Sequence, residues 1–180
     1  MKKILPAVGF ACLLALAALA APPAAAQTEI LKTNWEISTL QGKKRLPFVP
    51  VTELRVSPLN KLTGRLRTLV TLCNNSARNA EGLVLRYSLR LKLLKKDDPQ
   101  EKAFWSVPYY VEEVRVTSVK AKAERVARII NFEVAGQLRK LRGSGFSATA
   151  LKMEIMLCPR QGDDPATTMK ETEIVILKRP

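Results

Sequence analysis

From Leu83 to Leu93 the chain alternates: Leu83, Leu85, Tyr87, Leu89, Leu91 and Leu93 share one side, and Arg86, Ser88, Arg90 and Lys92 the other. Period two sends successive side chains to opposite faces, so the stretch reads as a strand with one dry and one wet side. A strand covered on both faces would be apolar throughout, and the alternation therefore predicts an antiparallel sheet. Arg65 to Cys73 reads as a second strand. The Asn, Ser and Gly residues between Asn74 and Gly82 are turn formers. Together they predict a hairpin, or a corner where the chain changes sheets, at the centre of an all-β domain.

The rest of the chain adds strands around this pair. Residues 27–46 read as an edge or lead-in segment with a weak strand signal at Trp35 and Ile37, limited by Pro47 and Pro50. Thr52, Leu54 and Val56 mark a short strand. Phe104 to Val119 is aromatic and β-branched, interrupted at Pro108. Its phase shifts between Val111 and Val114, which predicts a bulge or two short strands. Val126, Ile130, Phe132 and Val134 read as the inner face of another strand. Leu138 and Leu141, flanked by Arg139, Lys140 and Arg142 and followed by Gly143, predict a short basic amphipathic helix over 135–143. It is expected to cover one end of the fold, ahead of a role as an anion-binding surface. Leu151 to Leu157 and Glu171 to Leu177 complete the set. About seven strands separated by turn signals predict an antiparallel β-sandwich with one short helix before the sixth strand.

In strand order, with Cys73 ending the second strand and Cys158 the sixth, the chain resembles the immunoglobulin-like superfamily at fold level over roughly 50–177. Tyr87 stands 14 residues after Cys73, about where antibody-like domains place a core Trp. The chain departs from that pattern in having no Trp there, no Tyr two residues before Cys158, and an inserted helix. The resemblance implies a fold and no activity.

Lys2 and Lys3 precede an apolar run from Ile4 to Ala21, and Ala24-Ala25-Ala26 supplies a small-x-small site before Gln27. Residues 1–26 are thus expected to be a cleaved secretory signal peptide, read ahead of a membrane anchor because Pro22 and Pro23 interrupt the run. Cys12 would leave with it. Residues 27–180 would then form one exported domain, periplasmic or secreted from a bacterium, with no further segment apolar enough to span a bilayer. The remaining cysteines, Cys73 and Cys158, are expected to form a disulfide in an oxidising compartment, with two free buried thiols as the alternative. Strand parity turns both outward, so the bond would tie loops at one pole of the sandwich.

Loss of Lys2 and Lys3 lowers the formal charge from +14 to +12. The basic residues are dispersed along the chain, so they serve solubility as readily as binding. Arg86, Arg90 and Lys92 share one exposed side and are the candidate contacts for an anionic partner. Phe104, Trp105, Tyr109 and Tyr110 are the candidate protein interface. The aromatics stand apart from the basic residues, which disfavours nucleic acid.

The chain has no histidine, so histidine-dependent triads and zinc sites are excluded. It has no glycine-rich phosphate loop, and its Asp97-Asp98 and Asp163-Asp164 pairs lack calcium-loop spacing. No catalytic residue, metal or cofactor is assigned. The expected function is a non-enzymatic binding or assembly module of the cell envelope that docks to an envelope or surface protein. Binding of anionic lipid or polysaccharide comes second. A carboxylate-based cell-wall hydrolase using Glu112 and Glu113 comes last.

Overall fold

The computed structural model describes residues 28–158 and 164–178, so the expected signal peptide, Cys12 and Asp163 lie outside the described residues. Seven strands of eight residues or more carry the fold: β1 (Thr28–Ser38), β6 (Arg65–Asn74), β7 (Ala80–Lys95), β9 (Tyr110–Val119), β10 (Ala123–Ile130), β11 (Phe146–Leu157) and β12 (Met169–Lys178). Shorter pieces are β2 (Leu40–Gln41), β3 (Lys44–Arg45), β4 (Val49–Pro50), β5 (Glu53–Val56) and β8 (Phe104–Trp105). Helix α1 spans Glu133–Lys140, directly before β11, and α2 spans Pro165–Thr168.

The strands form an all-β sandwich of two sheets. One has the order β10-β6-β1-β4, and the other β5-β12-β11-β7, with β8 and β9 sharing the far side of β7. Pairing is antiparallel except between β5 and β12. The corner predicted after Cys73 is a change of sheet: β6 lies in the first sheet and β7 in the second. Because neighbours alternate in direction, the connections fall at two poles. The crossover pole holds the 75–79 and 120–122 turns. The opposite, helix pole holds the β2–β3 hairpin, the 57–64 and 96–103 loops and α1.

The core lies where the two inner faces meet. On β7 it takes Leu83, Leu85, Tyr87, Leu89 and Leu91, the alternation read from the sequence. Leu151, Met153, Ile155 and Leu157 line up beside them from β11, as expected. Leu66, Val70 and Leu72 face them from β6. Trp35, on β1, crosses between the sheets and donates its indole N–H to Thr172 Oγ1 on β12 at 3.0 Å. The core tryptophan is therefore on the first strand, while Tyr87 fills the third-strand position with an aromatic ring. Val134 and Leu138 are fully buried, so α1 covers its pole as expected.

Four expectations need correction. Residues 28–38 are a full strand and not a lead-in, because β1 pairs with β6 along its whole length; only Glu36 and Ile37 meet β4 on the other side, so most of β1 is the expected edge. On β10 the inward residues are Ala127 and Ile129, whereas Val126 and Ile130 are each 45% exposed and Phe132 60%. Apolar and charged residues occur on both sides of that strand, Val126 and Ile130 with Glu124 and Arg128, Ala127 and Ile129 with Arg125, so parity alone could not choose the register. In β9 the alternation does not shift phase between Val111 and Val114: Tyr110, Val114 and Val116 point inward, Val111 points out, and the phase shifts only later, between the buried Val116 and Val119. The irregularity lies across from it, at Gly82, which has φ 62 in the ladder gap between Glu81 and Leu83.

The fourth correction concerns the cysteines, which are free and not joined. Cys73 faces out from the first sheet and donates to Asn75 Oδ1 at 3.3 Å. Cys158 follows the buried Leu157, and its backbone N–H donates to Val84 O at 2.8 Å on the second sheet. Both thiols do sit at the crossover pole and do point outward. Outward on different sheets means opposite surfaces, with sheets ~10 Å apart between them. A disulfide needs its Cα atoms within ~7 Å. Burial first, then the neighbouring Glu29 and Glu124 carboxylates, raise the Cys73 pKa, which keeps it a protonated, sluggish thiol. Both cysteines are expected to alkylate without reductant, and Cys73→Ser/Cys158→Ser should shift stability by less than about 1 kcal/mol. Mass spectrometry showing a linked Cys73–Cys158 peptide would refute this.

Candidate functional site

The register of the second sheet sets its outer face in rows. Arg86 lies between Glu113 on β9 and Met156 on β11, which adjoins Met169 on β12. The next row is Val111, Ser88, Glu154 and Glu171. Then come Arg90, Lys152 and Glu173, and last Trp105, Lys92, Ala150 and Val175. The three basic residues singled out from β7 do share one outer side.

They are not idle there. Arg86 pairs with Glu113, whose hydrogen bond raises the guanidinium pKa. Arg90 pairs with Glu154 at 3.2 Å, and Ser88 donates to the same carboxylate at 2.9 Å. Lys152 lies between Glu171 at 2.9 Å and Glu173 at 3.0 Å, and these hydrogen bonds raise its pKa. Lys92 and Lys152 sit over the Trp105 ring, 5.9 and 4.8 Å from its centroid. The basic Arg86, Arg90, Lys92 and Lys152 are thus matched by Glu113, Glu154, Glu171 and Glu173. A matched face has little net field for an anion. The acidic partners share the outer parity of β11 and β12 in the sequence, but only the register shows which cation each one meets.

Between the first two rows runs a groove of about 420 Å³, with Val111, Met156 and Met169 beside Arg86, Glu154 and Glu171. It is open along the sheet.

The aromatic segment divides. Phe104 is half exposed and packs edge-on against Phe146, with centroids 6.1 Å apart. Trp105 serves as the platform for the two lysines. Tyr109 and Tyr110 turn inward instead. Tyr110 lies 6.1 Å from Tyr87, and both hydroxyls donate to Glu112 Oε2. Burial, then the Glu112 hydrogen bond, raises the Tyr87 pKa well above the ordinary tyrosine value. Burial, then Glu133, does the same to Tyr109. Val107, 80% exposed, and Val111, 59% exposed, take their place on the outside. The sequence reading missed both: Val111 alternates legibly with the inward Tyr110, whereas Val107 shares its parity with the inward Tyr109 and could not be placed by alternation.

Glu112 and Glu113 leave the strand on opposite sides, one toward the two tyrosines and one toward Arg86. They do not converge across a cleft as a glycosidase pair must. Among the described residues no group of three or more metal-ligating side chains is close enough to hold an ion.

No family model matches the chain, and no curated protein does. A likeness among solved structures is the crystal structure of the C-terminal domain of wzt, 10% identical, covering 86% of this chain and 76% of that one, with a TM-score of 0.37. That likeness carries no argument here; the fold stands on the strand pairing. Among the described residues no helix is long and apolar enough to cross a membrane.

Proposed function

We propose that this chain is an exported, non-enzymatic binding or assembly module of the bacterial cell envelope that docks to a protein partner. The observation behind the reading is the free edge of the second sheet. Among the described residues β8 and β9 pair with β7 alone. β8 makes only two ladder pairs, so Ser106 to Tyr109 runs outside the regular ladder. Along that edge Phe104, Val107 and Val111 are exposed. Ser106 and Tyr109 still donate to the carbonyls of Leu91 and Leu89, so the edge offers chiefly apolar side chains, which suit a partner that lays an apolar segment alongside. Further along β9, Glu112 turns a carboxylate to the inward side, a feature that discourages two copies from pairing edge to edge. The docking stretch is therefore Phe104 to Val111. Strand order, with the sixth strand between the third and seventh, supports kinship with the immunoglobulin-like superfamily. The apolar leader read at residues 1–26 supports export.

A photo-crosslinking residue placed at Val107 should give one discrete protein adduct in the native envelope, and the same residue at Lys32, on the other sheet, should not. Val111→Glu should abolish the adduct while moving the thermal midpoint by no more than about 2 °C, since an exposed position costs within about 0.5 kcal/mol. Identical labelling at both positions, or none at Val107, would remove this reading.

A further inference from the structure

The two poles of the sandwich differ in charge. At the crossover pole the described turns and strand ends carry Arg78, Lys120, Lys122 and Lys170 against Glu29, Glu81, Glu124 and Asp164. At the helix pole the β2–β3 hairpin brings Lys43, Lys44 and Arg45, and its tight turn is set by Gly42 at φ 60. The loops and strand ends there add Lys61, Lys95, Lys96 and Lys178, and α1 with its following turn adds Arg139, Lys140 and Arg142. The acids of this pole are Asp97, Asp98, Glu101 and Glu133, and Asp98 is already 3.9 Å from Lys102.

A cleft of about 250 Å³ opens in this pole between the 57–64 loop and the turn after α1. Lys96, Arg142 and Lys178 line it, and none has a carboxylate within salt-bridge reach among the described residues. Leu59, exposed, and Phe146 line it too, and Phe104 packs edge-on against Phe146. The hairpin's Leu40 and the exposed Phe132, with Arg65 5.8 Å from its ring, extend the same mixture across the pole.

We infer that the helix pole docks onto an anionic phospholipid surface, with a lipid headgroup seated in the cleft lined by Lys96, Arg142 and Lys178. A soluble polyanion would be satisfied by the cations alone. Leu59, Phe104 and Phe132 projecting among them fit a bilayer, where basic side chains meet headgroup phosphates and apolar ones enter the acyl boundary. The cations are unpaired where they can meet phosphate, whereas Arg86, Arg90 and Lys152 of the sheet face each hold a carboxylate. This surface is separate from the β8–β9 edge except at Phe104, so the two readings fail independently.

The test is co-sedimentation of residues 27–180, whose core closes among Ile30 to Ile176, with vesicles. Phosphatidylcholine vesicles with and without about one third phosphatidylglycerol are compared at low and high salt, because exposed charges are screened beyond ~8 Å at physiological ionic strength. Retention should require the anionic lipid. Lys96→Gln/Arg142→Gln should lower partitioning about 25-fold, at about fivefold per basic residue. Leu59→Ser/Phe104→Ser should also weaken it at unchanged charge. Arg86→Gln/Arg90→Gln, on the neutralised face, should not. Thermal transitions confirm that each variant is folded. Three results would overturn the proposal: no preference for anionic vesicles, an equal loss from the Arg86/Arg90 variant, or serine variants that bind as the parent does while polyphosphate competes fully. The last would assign the cleft to a soluble polyanion.

Discussion

Leu89→Asp is expected to leave no folded protein at 37 °C, while Arg90→Asp, one residue on, folds and melts within about 4 °C of the parent. Leu89 is fully buried at the middle of β7, between Met153 on β11 and Tyr110 on β9. Removing its side chain alone costs about 2–5 kcal/mol through lost transfer and cavity terms. The carboxylate then adds several kcal/mol of uncompensated desolvation, or must protonate to stay. That sum rivals the ~5–15 kcal/mol that hold an ordinary domain together. Arg90 faces the other way, about one third exposed, with Glu154 at 3.2 Å. Pairs of this kind contribute ~0–1 kcal/mol, so replacing the cation costs about that much plus a modest repulsion from Glu154. Circular dichroism melts of both variants decide the matter. Equal destabilisation would mean that the two faces of β7 have been assigned wrongly.

Asn74→Ala should lower the urea midpoint by about 1–2 M, from a loss of about 2–4 kcal/mol. Asn74 is fully buried at the sheet-changing corner. Its side-chain amide donates to the carbonyls of Arg78, Val119 and Lys120 at 2.7, 3.1 and 3.1 Å. Its Oδ1 accepts the backbone N–H of Ser76 at 3.0 Å. One side chain thus joins the β6–β7 crossover to the end of β9. Alanine would take the partner from the buried Val119 carbonyl and from the Ser76 N–H, each at a desolvation cost of ~1–3 kcal/mol, while Arg78 O keeps the Ser76 hydroxyl. Asn75→Ala is the control. Asn75 donates to the exposed Glu29 carboxylate at 2.8 Å, where water can take over, so its cost should stay below about 1 kcal/mol. Equal midpoints for the two variants would show that the corner is held by something else.

Asn74 also marks where sequence reading stops. Its type and place are enough to read a turn, because Asn favours turns by bonding nearby backbone. Two of its three acceptors lie more than forty residues away, at Val119 and Lys120. That part of its role depends on which turns meet at a pole. Arg86 and Arg90 show the same limit. Parity placed them on the outer side correctly. Their partners Glu113 and Glu154 come from different strands, and strand alternation carries no information about register between strands.

Sequence alone determined the all-β character, the inward side of β7 and β11, the helix before the sixth strand and the outward direction of both cysteines. These follow from local rules, since a two-residue period or a helical spacing with a glycine stop constrains each segment by itself. It misjudged the register of β10, which mixes apolar and charged residues on both sides, and the length of β1, whose pairing with β6 outweighed a weak local signal. The tertiary structure decided three further things. It put Cys73 and Cys158 on opposite surfaces, because β6 and β11 belong to different sheets. It neutralised the basic ladder of β7 through its neighbours. And it gathered cations that are dispersed along the chain, because antiparallel strands return alternate connections to the same end. The basic residues of the hairpin, the 57–64 and 96–103 loops and α1 all lie in such connections, so a charge even in sequence becomes a charge polarised in space.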